Sequence, residues 1–264
     1  GLGFGAPIHE SRVHGIGQRT IESARDMISF IVPAHNEERL LGRTLVAIHD
    51  AAAGIGQPYE VIVVDDGSTD LTSAIAAQHG ARIERVDYRQ ISRTRNAGAR
   101  LASGDPLIFV DADTVISSRV LRGTMEALQR GAVGGGAMIT ADGWIPLYGR
   151  VLLKITSVVM RAADLIAGCY FFCTRAAFDM AGGFDERVYA GEELGLSRRL
   201  ARIGPIAILD SPVVTSGRKL RQHSGWELVR LLGALVRRGP AVLRTRDDLA
   251  LWYGTRRNDG DRDE

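Results

Sequence analysis

Glu60-Val-Ile-Val-Val-Asp-Asp-Gly-Ser-Thr-Asp70 is the stretch on which the fold turns. Glu60 to Val64 is a short apolar, β-branched run that reads as a buried strand. Asp65 and Asp66 end it. Gly67 permits a tight turn, and Ser68 or Asp70 can cap the helix that runs on through Ile75. Similar units lie on either side. Ser29-Phe-Ile-Val-Pro33 is an apolar run stopped by proline, a first strand covered on both faces. From about Glu37 to Ala53, Leu40, Leu41, Leu45 and Ile48 recur at helical spacing until Gly54 and Gly56 end the pattern. Residues 81–85 give a third, shorter strand, 93–102 a short helix and 106–110 a fourth strand. Alternation with short connections predicts an α/β fold, a mostly parallel central sheet with helices on both faces. Such sheets bind ligands beyond the carboxyl ends of their strands, which singles out the polar residues after Val32, Val64 and Val110.

Further along, Val120 to Leu128 predicts a helix, and Gly131-Ala-Val-Gly-Gly-Gly136 interrupts the pattern. Residues 143–167 are apolar and partly amphipathic. Gly168-Cys-Tyr-Phe-Phe172 reads as a strand in a smaller second lobe, Gly182-Gly-Phe-Asp185 as a turn, residues 192–203 as a helix and Ile206-Ala-Ile-Leu209 as a last strand. Residues 1–26 are expected to be a flexible lead-in, and 216–264 a basic amphipathic segment with a charged tail.

The composition narrows the function classes. With 264 residues, 45% of them hydrophobic, the chain can close a sizeable core. A formal net charge of +2 gives no sign of a nucleic-acid partner. Cys169 and Cys173 are too few for a disulfide scaffold, too widely spaced for C-x-x-C, and read as small buried thiols. No apolar run is long enough to span a bilayer and the first residues lack a signal-peptide pattern, so the expectation is a cytoplasmic protein. Between residues 217 and 239, Arg218, Lys219, Arg221, Arg230, Arg237 and Arg238 interleave with Leu228, Leu231, Leu232, Leu235 and Val236. A helix there would either face the core with a solvated basic side or lie peripherally on an anionic membrane.

The chemistry concentrates at the strand ends. Phe109-Val-Asp111-Ala-Asp113 delivers two carboxylates one residue apart at the end of a buried strand. Unpaired, they repel; a divalent cation relieves the repulsion, and oxygen ligands suit Mg²⁺ or Mn²⁺, with a diphosphate supplying further oxygens. At the second strand end, Asp66 stands further out than Asp65; the pair either caps the next helix or accepts hydrogen bonds from a nucleobase or ribose. Arg93 and Arg95 can fork onto phosphate or balance nearby aspartates. Glu192 and Glu193, in a first helical turn, either complement the helix dipole or supply a general base.

In order along the chain, Ile31-Val-Pro-Ala-His-Asn-Glu37, Val64-Asp-Asp-Gly-Ser-Thr-Asp70, Arg95-Asn-Ala-Gly98, Val110-Asp-Ala-Asp113, Gly182-Gly-Phe-Asp-Glu186 and Gly191-Glu-Glu193 resemble the family 2 glycosyltransferases of the A-type fold. The resemblance runs from about Ser29 to Ile208 and implies a transferase domain over 27–215, with a nucleotide half to about 114 and an acceptor half beyond. It implies a UDP- or GDP-linked sugar as donor, and a small-molecule or lipid-linked acceptor bearing a hydroxyl. Pro33, Ala34 and Glu37 would line the nucleoside pocket. Asp66 would meet the base, Arg95 the base or phosphate side, and Asp111 the ribose or sugar. Asp113 would ligate the metal, Glu192 would contact donor or acceptor sugar, and Glu193 would be the catalytic base, which predicts inversion.

Three positions depart from the pattern. The usual Glu-Asp at the base position is Glu192-Glu193. Gln222-His-Ser-Gly-Trp226 lacks the arginine of the processive synthases' Q-x-x-R-W, which favours single transfers. The histidine that often completes the metal site near the last strand is missing from Thr215-Ser-Gly-Arg-Lys219, leaving His223 as the candidate. A nucleotidyltransferase would want a glycine-rich basic loop after the first strand, and an oxidoreductase G-x-G-x-x-G there; Pro33-Ala-His-Asn-Glu37 offers neither. A binding module for sugar nucleotides without transfer activity and, despite that loop, a nucleotidyltransferase are the alternatives.

Overall fold

The chain's computed structural model describes residues 27–162, 166 and 168–218. The expected flexible lead-in, His223 and most of the basic C-terminal segment lie outside those residues. The first half alternates as expected: β1 (Ile28–Ala34), α1 (Leu41–Ala53), β2 (Tyr59–Asp66), α2 (Thr72–Gln78), β3 (Arg82–Val86), α3 (Ile91–Leu101) and β4 (Leu107–Val110). The second half adds β5 (Thr114–Val115), α4 (Ser118–Gln129), β6 (Gly134–Ala141), α5 (Leu147–Ala162), β7 (Tyr170–Cys173), α6 (Arg175–Ala181), α7 (Glu192–Leu200) and β8 (Ile206–Thr215).

Among the described residues all the strands join one eight-stranded sheet in the order β3-β2-β1-β4-β7-β6-β8-β5. β3, β2, β1 and β4 run parallel; β7 enters antiparallel between β4 and β6, and β6 pairs parallel with β8. The order reverses between β1 and β4, the switch point where such sheets open a crevice. Both faces are covered, which is why these strands read as continuous apolar runs. Ile28, Phe30, Val32 and Ala34 pack with α1 and α4 through Leu41, Leu45, Ile48, Val120 and Leu121. Ile31, Ile62, Val64 and Phe109 pack with α3, α6 and α7 through Ala97, Phe178, Leu196 and Leu200. Gly98 lets α3 sit tightly on the sheet: a Cβ there would come within 2.4 Å of Ile31 Cγ2.

One expectation fails in form. Gly134-Gly-Gly136 does not interrupt the structure but opens β6. The strand is glycine-rich because its neighbours leave no room: a Cβ on Gly135 would lie 2.0 Å from the Ala207 carbonyl oxygen, and one on Gly136 would lie 2.5 Å from Ile166. Cys169 and Cys173 are buried free thiols, and burial pushes the titration of both upward.

Candidate active site

The site gathers at the carboxyl ends of β1, β2 and β4. Pro33 and Ala34 close β1 opposite Val64 and Asp65 of β2. Both aspartates at the end of β2 are buried, and their oxygens are engaged within the protein. Asp65 accepts from the Ser68 amide and the Ser73 hydroxyl. Asp66 Oδ1 accepts from the amides of Tyr88 and Arg89, at 2.6 and 2.8 Å, and its Oδ2 from the Gln90 amide and the Thr94 hydroxyl. The Thr94 hydroxyl has one proton and lies equally near the Gln90 carbonyl, at 2.9 Å, so the fixed donors to this carboxylate are the three amides of residues 88–90. Asp66 therefore holds the 88–90 loop in place at the end of β2.

The centre of the site is Arg95, on α3. Its side chain is 2% exposed. Nη2 donates to Asp111 Oδ1 at 2.7 Å and to the Gly168 carbonyl at 2.8 Å; Nη1 donates to Glu192 Oε1 at 2.6 Å and Glu193 Oε1 at 3.1 Å. The guanidinium also lies 5.4 Å from the Phe184 ring centroid, within cation–π range. Its Nε is buried without a hydrogen-bond partner. Arg95 thus faces carboxylates rather than an open phosphate pocket. One cation binds the end of β4 to the start of α7, although the chain separates them by some eighty residues.

Local structure places α7 for this contact. Asn96, next to Arg95, clasps Phe184 through both backbone groups: its amide donates to the Phe184 carbonyl and its oxygen accepts the Phe184 N–H, each at 2.9 Å. Gln90 and Ser92 donate to the Val188 carbonyl, and Gln90 also to that of Glu186. The Gly182–Glu186 turn is thereby fixed on α3. Gly191 then takes a left-handed conformation (φ +69°) and starts α7, aiming Glu192 and Glu193 back at Arg95.

The two glutamates have different roles. Glu192 is 2% exposed, whereas Glu193 is 15% exposed and reaches the rim. Burial and the neighbouring Glu193 charge push Glu192 up to about 8 against the pull of Arg95. Burial would lower Arg95, but Asp111, Glu192 and Glu193 outweigh it and hold the guanidinium charged. One arginine facing three carboxylates leaves an excess of negative charge, and the proton retained by Glu192 relieves it. Glu193 is the more exposed of the two carboxylates.

At the other edge, Asp113 Oδ1 accepts from the Thr215 hydroxyl at 3.2 Å, and the Ser216 amide donates to the Asp113 carbonyl. Arg218 lies across the same rim, with Nη2 3.0 Å from Glu37 Oε1 and 3.9 Å from Asp113 Oδ2. In the sequence Arg218 stood out only as one member of a basic segment. Its only signal was its place just beyond the last strand, in the stretch that lacks the expected histidine. Among the described residues no three His, Cys, Asp or Glu side chains are placed to hold a metal ion by themselves. Asp111 and Asp113 are hard oxygen donors at one strand end. That donor chemistry fits Mg²⁺ or Mn²⁺ arriving with a diphosphate, whose oxygens and water complete the shell.

The family model described as glycosyl transferase family 2 matches residues 29–164. A validoxylamine A glucosyltransferase of Streptomyces hygroscopicus subsp. jinggangensis is 32% identical over 108 residues, which span 38% of this chain and 25% of that protein. A dolichol-phosphate mannosyltransferase of Pyrococcus furiosus is 30% identical over 149 residues, spanning 52% of this chain and 41% of that one. The chain therefore spans well under half the length of these relatives. The crystal structure of S. aureus TarS 1-349 in complex with UDP-GlcNAc superposes with a TM-score of 0.59 at 18% identity, covering 79% of this chain and 66% of that one, and so shares the fold.

Proposed function

Because the chain belongs to glycosyl transferase family 2, we propose that it transfers a glycosyl group from a nucleoside-diphosphate sugar, UDP- or GDP-linked, to a hydroxyl acceptor, one sugar at a time and with inversion. The observation that carries this is the Arg95 cluster, which joins the donor-side Asp111 to the acceptor-side Glu193 through one guanidinium. The nucleoside sits against Pro33, Ala34 and the loop held by Asp66, with Glu37 at its edge. Asp111 faces the ribose or sugar. Asp113 would hold Mg²⁺ or Mn²⁺ with the diphosphate, and the cation would supply charge neutralisation for the leaving nucleotide. Arg218, already at this rim, adds a fixed positive charge beside the diphosphate.

Glu193 takes the proton of the acceptor hydroxyl as its oxygen attacks the anomeric carbon from the face opposite the leaving group. Arg95 keeps Glu193 in position, and Glu192, holding its proton, adds no second negative charge against it. The acceptor is a small molecule or a lipid-linked one; the Streptomyces and Pyrococcus relatives carry names of each kind. The test is transfer of labelled sugar from UDP- and GDP-sugars to acceptors of both kinds, with the anomeric configuration of the first product read by NMR. Inversion is expected. Retained configuration would contradict single displacement with Glu193 as base. Binding of a donor with no transfer to any acceptor would favour the sugar-nucleotide-binding alternative.

A further inference from the structure

Helix α5 carries an apolar face that the fold leaves bare. Trp144, just before the helix, is 75% exposed; within it Leu147 is 74% and Val158 68% exposed, and Tyr148, Val151 and Ile155 are exposed as well. At 3.6 residues per turn, Leu147, Tyr148, Val151, Ile155 and Val158 fall within about 100° of arc on one side of the helix. Gly149, on the opposite side, is buried against the protein. Elsewhere among the described residues the large exposed apolar side chains are Val46, Leu71 and Met180, which sit on separate elements. Single exposed residues of that kind are ordinary; a stripe along one helix is not.

The charges around the stripe indicate what covers it. Arg150 and Lys154 are exposed and lie along one edge of it. From Gly143 to Ala163 the sequence contains Arg150, Lys154 and Arg161 and no acidic residue. Trp144 and Tyr148 cluster at the N-terminal end, and rings with an apolar body and a polar tip favour the boundary between water and hydrocarbon. Sixteen residues reach only about 24 Å, short of a hydrocarbon core of roughly 30 Å, and no described helix is long and apolar enough to cross a membrane. An apolar stripe edged with cations and tipped with aromatics is suited to lying in an interface.

We propose that α5, with Trp144, is a docking surface for an anionic lipid bilayer, seated with its apolar stripe in the headgroup–acyl boundary and Arg150 and Lys154 among the anionic headgroups.

The test is co-sedimentation of the full chain with vesicles of phosphatidylcholine alone and of phosphatidylcholine mixed with phosphatidylglycerol, over a salt series and without nucleotide. The chain is expected to pellet with the mixed vesicles at low salt and much less with the neutral ones. Val151→Glu with Ile155→Glu should weaken that partitioning at least about tenfold, since two apolar side chains lose their burial. Its circular dichroism and melting temperature should be unchanged, because both positions are exposed. Arg150→Gln with Lys154→Gln should erase the preference for the anionic vesicles. Failure of the wild type to pellet with either vesicle would overturn the proposal, as would a double glutamate variant that pellets like the wild type. So would a dimer that the same variant splits, which would show a second copy covering the stripe. None of these outcomes bears on donor binding or sugar transfer.

Discussion

Gly168→Ala would test the placement of Glu193 without removing any charged group. A methyl group at Gly168 would lie 1.9 Å from Glu193 Oε1 and 2.8 Å from its Cδ. Ordinary contact needs roughly 3.5 Å, so the carboxylate must retreat by roughly 1.5 Å. It is the far end of a flexible side chain at the rim and can do so by changing rotamer. The fold then survives, at a cost of about 1–3 kcal/mol for overpacking. Positioning does not survive: a displacement of about 1 Å at a reacting group is worth on the order of 10²-fold, which is about 2.7 kcal/mol of barrier. The assay pairs initial transfer rates at saturating donor with calorimetric titration of the nucleoside diphosphate. kcat should fall about a hundredfold while donor Kd stays within a factor of about two, since the methyl group faces the acceptor side. An unchanged kcat would refute the placement of Glu193 at the reacting centre. Parallel loss of kcat and donor affinity would show that Gly168 shapes the donor pocket instead.

Three further substitutions separate the roles. Glu193→Gln should leave donor titration unchanged and lower kcat by roughly 10²–10⁴-fold, the usual worth of a general base; full turnover would move that role to Glu192. Glu192→Gln bears on pH. The folded value of about 8 stands above the ordinary 4.5, so the folded state keeps a proton that the unfolded chain releases. The resulting stabilisation is present below about pH 4.5 and is lost as pH rises toward about 8. Urea midpoints of the wild type should therefore fall across that window relative to those of Glu192→Gln, and parallel profiles would contradict it. Asp113→Ala should abolish the difference in UDP or GDP affinity with and without Mn²⁺, measured by calorimetry; an undiminished Mn²⁺ effect would place the cation elsewhere.

The parts of the fold that could be read from the sequence are those where one residue type had one job. β1, β2 and β4 are buried on both faces, so Phe30 to Val32, Val61 to Val64 and Leu107 to Val110 had to be apolar throughout. β6 was hidden because its glycines answer to Ala207, Phe172 and Ile166, neighbours that sequence distance conceals. The same holds at the site. The acidic strand ends announced themselves locally, and their order along the chain implied the family. That Arg95 faces Asp111, Glu192 and Glu193 could not be read, because the two glutamates lie 97 and 98 positions away. Nor could the sequence show that Asp66 binds the three amides of residues 88–90, or that Arg218 crosses 181 positions to reach Glu37. Both contacts depend on where loops close, which spacing alone does not fix.

The proposed nucleotide-sugar pocket would hold a negative diphosphate beside Asp113 and Arg218, beyond the ends of β4 and β8. Thermal-shift titration of the wild-type chain against a panel of UDP- and GDP-sugars, with and without Mn²⁺, addresses it most directly. Selective stabilisation by sugars of one base, larger with Mn²⁺ and absent for the free nucleoside, is the predicted result; a melting temperature indifferent to every sugar nucleotide in the presence of Mn²⁺ would contradict it.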